Sequence, residues 1–312
     1  MTAERFIGRV AVSAVGLGAM PLSVEGRPDR RQALATLHAA LDAGVTLLDT
    51  ADSYHWRADE TGHNEQLIAQ ALAERGADRD AVLVATKGGR GRPGDGSWTV
   101  DARPEHLRRA CEASLNRLGA ETIGLYQLHK PDPEVPWAES VGALRELAEQ
   151  GKIRAAGISN VTLEQLDEAR LILGDLLVSV QNRYSPAVRD SEPQLRRCAE
   201  LGIAFLPWSP LGGISRSSLD GPSGPTSSGT AFHEVAAEHG VSPQRVCLAW
   251  LLSRAPVVIP IPGASRPHTA RDSASAAGLV LAPAQRARLD AAAEAWGTGA
   301  REKGRPRSGA VG

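Results

Sequence analysis

Residues 47–56 read LLDTADSYHW. Two apolar residues, Leu47 and Leu48, run into a carboxylate, Asp49, and a tyrosine, Tyr54, follows five positions later. A short apolar run that ends in an acid is either a strand entering a turn or cap, or a strand that delivers a side chain to the floor of a site. The choice depends on how many such strands the chain contains and on what stands at their ends.

Outward from this stretch, short apolar runs alternate with longer stretches of helical period, the pattern of βα units around a parallel sheet. After a hairpin near Phe6 to Ser13, strands are expected at Ala14 to Leu17, Thr46 to Leu48, Val82 to Thr86, Ile123 to Leu128, Ile153 to Ile158, Leu177 to Val180, Ile203 to Leu206 and Val257 to Ile259. Between them DRRQALATLHAALDAG opens on a capping Asp29 and stops at Gly44, and RPEHLRRACEASLNRLG carries Pro104 in its first turn and stops at Gly119. Eight strands with intervening helices predict a single α/β domain, a (β/α)8 barrel (TIM barrel) with an N-terminal β-hairpin, over residues 1–296. The glycine-rich, basic stretch 297–312 is expected to be a flexible tail. A doubly wound sheet fits less well, because GLGAMP at 16–21 lacks the third glycine of a dinucleotide fingerprint and leads into a polar loop. Two stretches, 88–103 and 212–229, are too rich in glycine, proline and serine for regular structure and are expected as long loops on the face where the strands end.

Composition narrows the partners. The 312 residues are 42% hydrophobic, enough for a large core, and carry 35 basic against 36 acidic side chains, a net charge of -1. No basic stripe points to nucleic acid and no polybasic patch points to a membrane, which leaves a small molecule. Cys111, Cys198 and Cys247 lie far apart without disulfide or zinc spacing, and no signal-like leader or membrane-length apolar run is evident. The expectation is a soluble, cytoplasmic protein.

In such a barrel the carboxyl ends of the strands share one face, where catalytic groups gather. Reading those ends in order gives Asp49, Lys87, His129, Ser159 with Asn160, Gln181, Trp208 with Ser209, and finally PGASR from Pro262. Asp49, Lys87 and His129 end consecutive strands, with Tyr54 on the loop above. A phenol is a poor acid near neutral pH, but an ammonium beside it favours the phenolate, and a carboxylate beside the ammonium keeps that group charged. His129 remains to hydrogen-bond and aim a substrate oxygen. Together they suit protonation of an oxygen that is gaining electrons.

The stretches LLDTADSY, TK at Thr86 and Lys87, LYQLHKPD, GISN at 157–160, VQNRYSP and PWSPLGG at 207–213 resemble, in order and spacing, the aldo-keto reductase superfamily, in particular bacterial members related to potassium-channel β subunits. The resemblance spans nearly the whole chain. It implies a barrel that reduces an aldehyde or ketone with NADP(H), and a catalytic tetrad at Asp49, Tyr54, Lys87 and His129, with Tyr54 as general acid. It further implies cofactor contacts at Gly18, Ala19 and Met20 beside the nicotinamide ribose, at Ser159, Asn160 and Gln181 on the carboxamide, and at Trp208 against the ring. The loop from Ser209 through Pro210 and Leu211 to Gly212 would pass over the pyrophosphate. At the eighth strand the family pattern weakens: Gly263, Ser265 and Arg266 remain to hold the adenosine phosphate, while Thr269 and Asp272 stand where many members have an arginine or glutamine and a glutamate.

His55, Trp56 and Trp98, with Tyr54 and His129, are expected to wall the substrate pocket. The loop cluster Asp52, His55, Asp59, Glu60, His63 and Glu65 lacks tight ligand spacing, so no metal is expected. A metal-dependent hydrolase on the same barrel fails on ligand count, since strands five, six and eight offer Ser, Asn, Gln and Gly. The alternative that the residues leave open is an NADP(H)-binding regulatory or redox-sensing subunit with little turnover. The sequence does not specify the oligomeric state.

Overall fold

A computed structural model of the chain describes residues 4–76, 81–215 and 229–303, without the side chains of 297–303. The expected hairpin is formed by β1 (Glu4–Ile7) and β2 (Val10–Ser13), paired antiparallel from Glu4–Ser13 to Ile7–Val10. Its inward residues Ile7 and Val12 pack with Leu47, Ala85, Leu125, Ala204, Leu206, Ile259 and Ile261, so the hairpin plugs the end of the barrel where the strands begin.

The barrel strands are β3 (Leu17–Gly18), β4 (Leu47–Asp49), β5 (Leu83–Gly88), then, beyond a short excursion, β8 (Leu125–Leu128), β9 (Ala156–Ser159), β10 (Leu177–Gln181) and β11 (Ala204–Phe205). They form one parallel sheet in chain order, seven strands wide. The eighth expected strand, Val257 to Ile259, is not a regular strand. Residues 257–263 instead close the barrel through scattered bonds: Phe205 N donates to Val257 O (2.8 Å), Ile259 N to Phe205 O (2.9 Å), and Gly16 N and Gly18 N to the carbonyls of Pro260 and Pro262 (3.0 Å each). Two prolines in the segment have no N–H to give, so a continuous ladder cannot form there.

Helices alternate with the strands as α1 (Arg30–Asp42), α2 (His63–Ala73), α3 (Pro104–Leu118), α4 (Trp137–Glu149), α5 (Leu163–Leu173), α6 (Glu192–Leu201), α7 (Ala231–His239), α8 (Pro243–Leu252), α9 (Pro267–Ala274) and α10 (Pro283–Lys303). Asp29 caps α1, its carboxylate accepting from Gln32 N at 2.8 Å, and Gly119 ends α3 in the left-handed conformation. The main core lies between helices and strands, with Leu107, Leu144, Leu166 and Trp250 fully buried.

Two expectations change here. Within 88–103 a small antiparallel ribbon forms, β6 (Arg90–Gly91) against β7 (Thr99–Val100), and the glycines and proline between them make its turn. The expected tail from 297 begins as helix, because α10 runs to Lys303. Its alanine-rich run sustains the helix and Trp296, stacked on Phe232 at 5.7 Å, anchors it. Residues 304–312 and most of the second expected loop, 216–228, lie outside the described residues.

Candidate active site

The strand period of two decides which side chains enter the barrel. Asp49 is the last residue of β4 and pairs in register with Ala85, so Lys87, two residues on, projects from the neighbouring strand on the same side. Lys87 in turn pairs with Gln127, which puts Gln127, and His129 two residues beyond, on that face too. Ser179 and Gln181 repeat the spacing on β10.

These residues form a buried polar layer. Lys87 Nζ donates to Asp49 Oδ1 at 2.7 Å, to the Thr50 carbonyl at 2.8 Å and to the Tyr54 hydroxyl oxygen at 3.1 Å. The other oxygen of Asp49 accepts from Gln181 Nε2 at 2.7 Å and from Gln127 Nε2 at 3.4 Å, and Ser179 Oγ donates to Gln127 Oε1 at 3.3 Å. Gly157 makes room for the layer: a Cβ there would stand 2.2 Å from Ser179 Oγ and 2.9 Å from Gln127 Cγ. Lys87 has no exposed surface, yet its amine stays well charged, because Asp49 and Tyr54 outweigh the burial that opposes the charge.

Burial raises the Tyr54 phenol above its ordinary value of 10; the Lys87 charge opposes the rise without cancelling it, and Asp49 adds to it. Lys87 therefore does not turn Tyr54 into a phenolate in this state. Burial, then the charges of Lys87 and Arg90, push His129 well below the ordinary imidazole range, so it is neutral. Its Nδ1 lies 3.4 Å from Ser53 Oγ, and its ring meets Tyr54 edge-on at 5.6 Å between centroids.

A cavity of about 330 Å³ opens above the layer and runs across the rim toward α9. Its wall includes Gly18, Met20, Asp49, Tyr54, Trp98, His129, Asn160, Gln181, Trp208, Ser209, Pro210, Leu211, Gly212, Gly263, Ser265, Arg266 and Thr269. Asn160 and Ser209 have positive φ, 60° and 47°, which is uncommon for residues with a side chain, and both line the cavity. Asn160 Nδ2 donates to the His129 carbonyl at 2.9 Å and its Oδ1 accepts from Trp208 Nε1 at 3.2 Å, so one amide ties two strand ends to the indole.

Other expected site residues lie elsewhere. Lys87 sits beneath the cavity and reaches it only through Tyr54. Ala19 is fully buried, its N–H on the Asp49 carbonyl at 2.9 Å. Ser159 is also buried, donating to the Gln181 carbonyl at 2.7 Å and accepting from Asn160, so it positions Asn160. His55 does not wall the pocket: its Nδ1 donates to the Arg57 carbonyl at 2.6 Å. Trp56 faces outward, 41% exposed with Arg27 over its ring. Asp272 is off the cavity because its carboxylate is held by Arg245, at 2.7 Å, and by Ser242.

The sequence reading missed Gln127 and Arg90. Gln127 was legible from its position two residues before His129. Arg90 lines the cavity and lies over the Trp98 ring at 4.3 Å from its centroid.

Residues 14–294 match the aldo/keto reductase family. The chain belongs to that family. This aldo/keto reductase is 34% identical to pyridoxine 4-dehydrogenase of Escherichia coli over 295 residues, 91% of this chain and 96% of the relative. Among solved structures it resembles the glycerol dehydrogenase of Gluconobacter oxydans (TM-score 0.80, 29% identity, 100% of this chain and 99% of the other). It also resembles an aldo-keto reductase of Klebsiella pneumoniae in complex with NADPH (TM-score 0.74, 29% identity, 93% and 95%). The (β/α)8 architecture and the oxidoreductase class follow from this membership. Among the described residues of this aldo/keto reductase no helix is long and apolar enough to cross a membrane.

Proposed function

We propose that the chain reduces an aldehyde or ketone with NADPH, and that Tyr54 gives the proton to the carbonyl oxygen. One observation carries this reading. The three N–H bonds of Lys87 already have three acceptors, one of them the Tyr54 oxygen, so the Tyr54 proton cannot lie on that contact and is free for the cavity.

The cavity suits a nicotinamide dinucleotide. Beyond its bond to Asp49, Gln181 has a second amide N–H and its Oε1, Asn160 Oδ1 has a second lone pair, the Trp208 ring supplies a flat wall, and Gly212 and Gly263 give backbone without side chains. Arg266, at the start of α9, brings a guanidinium to the far wall, suited to a phosphate. When bound, the dihydronicotinamide supplies hydride to the carbonyl carbon. In the tautomer that carries its proton on Nε2, with Nδ1 accepting from Ser53, neutral His129 donates to the substrate oxygen and aims it at Tyr54. As that oxygen gains electrons, Tyr54 releases its proton to it, and the resulting phenolate is held by the Lys87 ammonium until solvent restores the proton.

The test is NADPH oxidation, followed by absorbance, against a panel of aldehydes and ketones, with NADPH binding measured independently by fluorescence quenching. Turnover is expected. Tight binding with no turnover on any carbonyl would favour a regulatory, cofactor-holding protein instead.

A further inference from the structure

Arg90 stands in the cavity wall with Tyr54, Trp98 and His129. Two neighbouring cations have carboxylate partners, Lys87 with Asp49 and Arg92 with Glu25, although Arg92 Nε, like that of Arg90, is buried without a hydrogen bond. Arg90 has no hydrogen bond and no ion pair among the described residues, and its Nε is buried without a partner. No carboxylate perturbs it. Burial disfavours its charged form, and the neighbouring charge of Arg92 adds to that cost. The ring of Trp98 holds the guanidinium in place, and Trp98 itself meets Tyr54 edge-on at 6.5 Å.

A half-buried guanidinium without a counter-charge is costly unless an anion arrives to pair with it. Its planar fork matches a carboxylate or a similar oxyanion better than any neutral group. Arg266 is the other cation on the cavity wall, on the opposite side of the sheet seam and beside the glycine and serine backbone of 263–265. The two arginines thus mark different ends of one ligand space, with the proton donor beside Arg90.

We propose that Arg90 is a specificity-determining residue, and that the chain's substrates are carbonyl compounds that also carry a carboxylate or comparable oxyanion, which Arg90 binds while the carbonyl oxygen lies on Tyr54 and His129. This rests on the carbonyl-reductase reading above and adds the class of substrate. The pair formed on binding removes the unpaired charge from the wall, and it orients the carbonyl by its far end.

Two matched pairs test it: 4-carboxybenzaldehyde with its methyl ester, and succinate semialdehyde with its methyl ester. In each the reacting carbonyl is kept and only the distal charge is removed. The wild type is expected to favour the acid over the ester in kcat/KM by about 10-fold to 100-fold in at least one pair, the range of a charge-assisted hydrogen bond. In Arg90→Leu that ratio is expected to collapse to within about threefold of unity, while Arg90→Lys keeps part of it. Equal use of acid and ester by the wild type in both pairs overturns the inference without needing any variant. So does an unchanged ratio in Arg90→Leu. If Arg90→Leu weakens NADPH binding as much as it weakens turnover of the acid, Arg90 serves a cofactor phosphate and the inference fails. Turnover of none of the four compounds nor of any simple aldehyde would overturn the reductase reading and this inference together, whereas acid and ester turned over alike overturn this inference alone.

Discussion

The ammonium of Lys87 donates to the hydroxyl oxygen of Tyr54 at 3.1 Å, and both side chains are buried. The direction of that bond fixes the roles of the pair: the lysine holds the oxygen and the phenol keeps its proton for another acceptor.

Replacing Tyr54 by Phe removes the donor and leaves the cavity wall in place. The reductive kcat should fall by about 10²-fold to 10⁴-fold, with the Kd for NADPH little changed. Lys87→Met should be about as damaging, and the double variant little worse than either single one. Steady-state kinetics on the three proteins checks this; losses that multiply would mean the two groups act independently.

The rate of reduction should vary little with pH from about pH 6 to about pH 9. Burial keeps the Tyr54 phenol protonated above its ordinary range and keeps His129 neutral below its own, so neither changes state between these limits. A pH profile of kcat with a break near the ordinary histidine value would show that His129 titrates and would refute its role as a neutral donor.

Asp52 governs a different pH dependence. It is buried beside Glu65, one of its oxygens has no hydrogen-bond partner among the described residues, and burial with the Glu65 charge pushes its carboxyl from 3.8 up to about 8. Between those values the folded chain holds a proton that the unfolded chain has released. The stability this provides is complete at pH below the unfolded value and is lost as the pH rises through about 8. Asp52→Asn cannot ionise, so its Tm should drop less than that of the wild type between about pH 5 and about pH 9. Parallel losses of Tm by calorimetry would assign the effect to another group.

Cofactor choice should rest on Arg266. The wild type is expected to prefer NADPH to NADH by roughly 10-fold to 100-fold, the value of a charge-assisted contact to phosphate. Arg266→Ala should erode the preference through weaker NADPH binding, and Thr269→Arg, on the same wall, should strengthen it. Equal weakening toward both cofactors would make Arg266 a support for its loop.

The residues that were legible in the sequence are those whose position along a strand decides where they point. Asp49, Lys87, His129 and Gln181 follow the period of two from apolar runs that the barrel must bury, and each lies in the polar layer or on the cavity wall above it. Residues beyond the strand ends follow no such rule. His55 is adjacent to Tyr54 in sequence, yet the turn sends its ring to a backbone carbonyl, and Trp56 goes to the surface. Asp272 is fixed by Arg245, on a different helix, and no local pattern announces that contact. Arg90 was hidden because a glycine-rich stretch read as an irregular loop conceals the short ribbon that aims it. The eighth strand was legible as an apolar run, while its prolines, equally visible, limit it to carbonyl acceptors along the seam.

That seam bears on how the protein is made. Gly18 and Gly263 meet across it and both line the cavity, although they come from opposite ends of the chain. While the ribosome is still adding the last quarter, β3 to β11 can pair in order of synthesis, but the ligand space lacks one wall. Only the arrival of 257–263, followed by α9, completes it. A truncated or stalled chain can therefore carry Asp49, Tyr54, Lys87 and His129 and still lack the enclosed ligand space, which makes nucleotide affinity a direct gauge of whether the ring has closed.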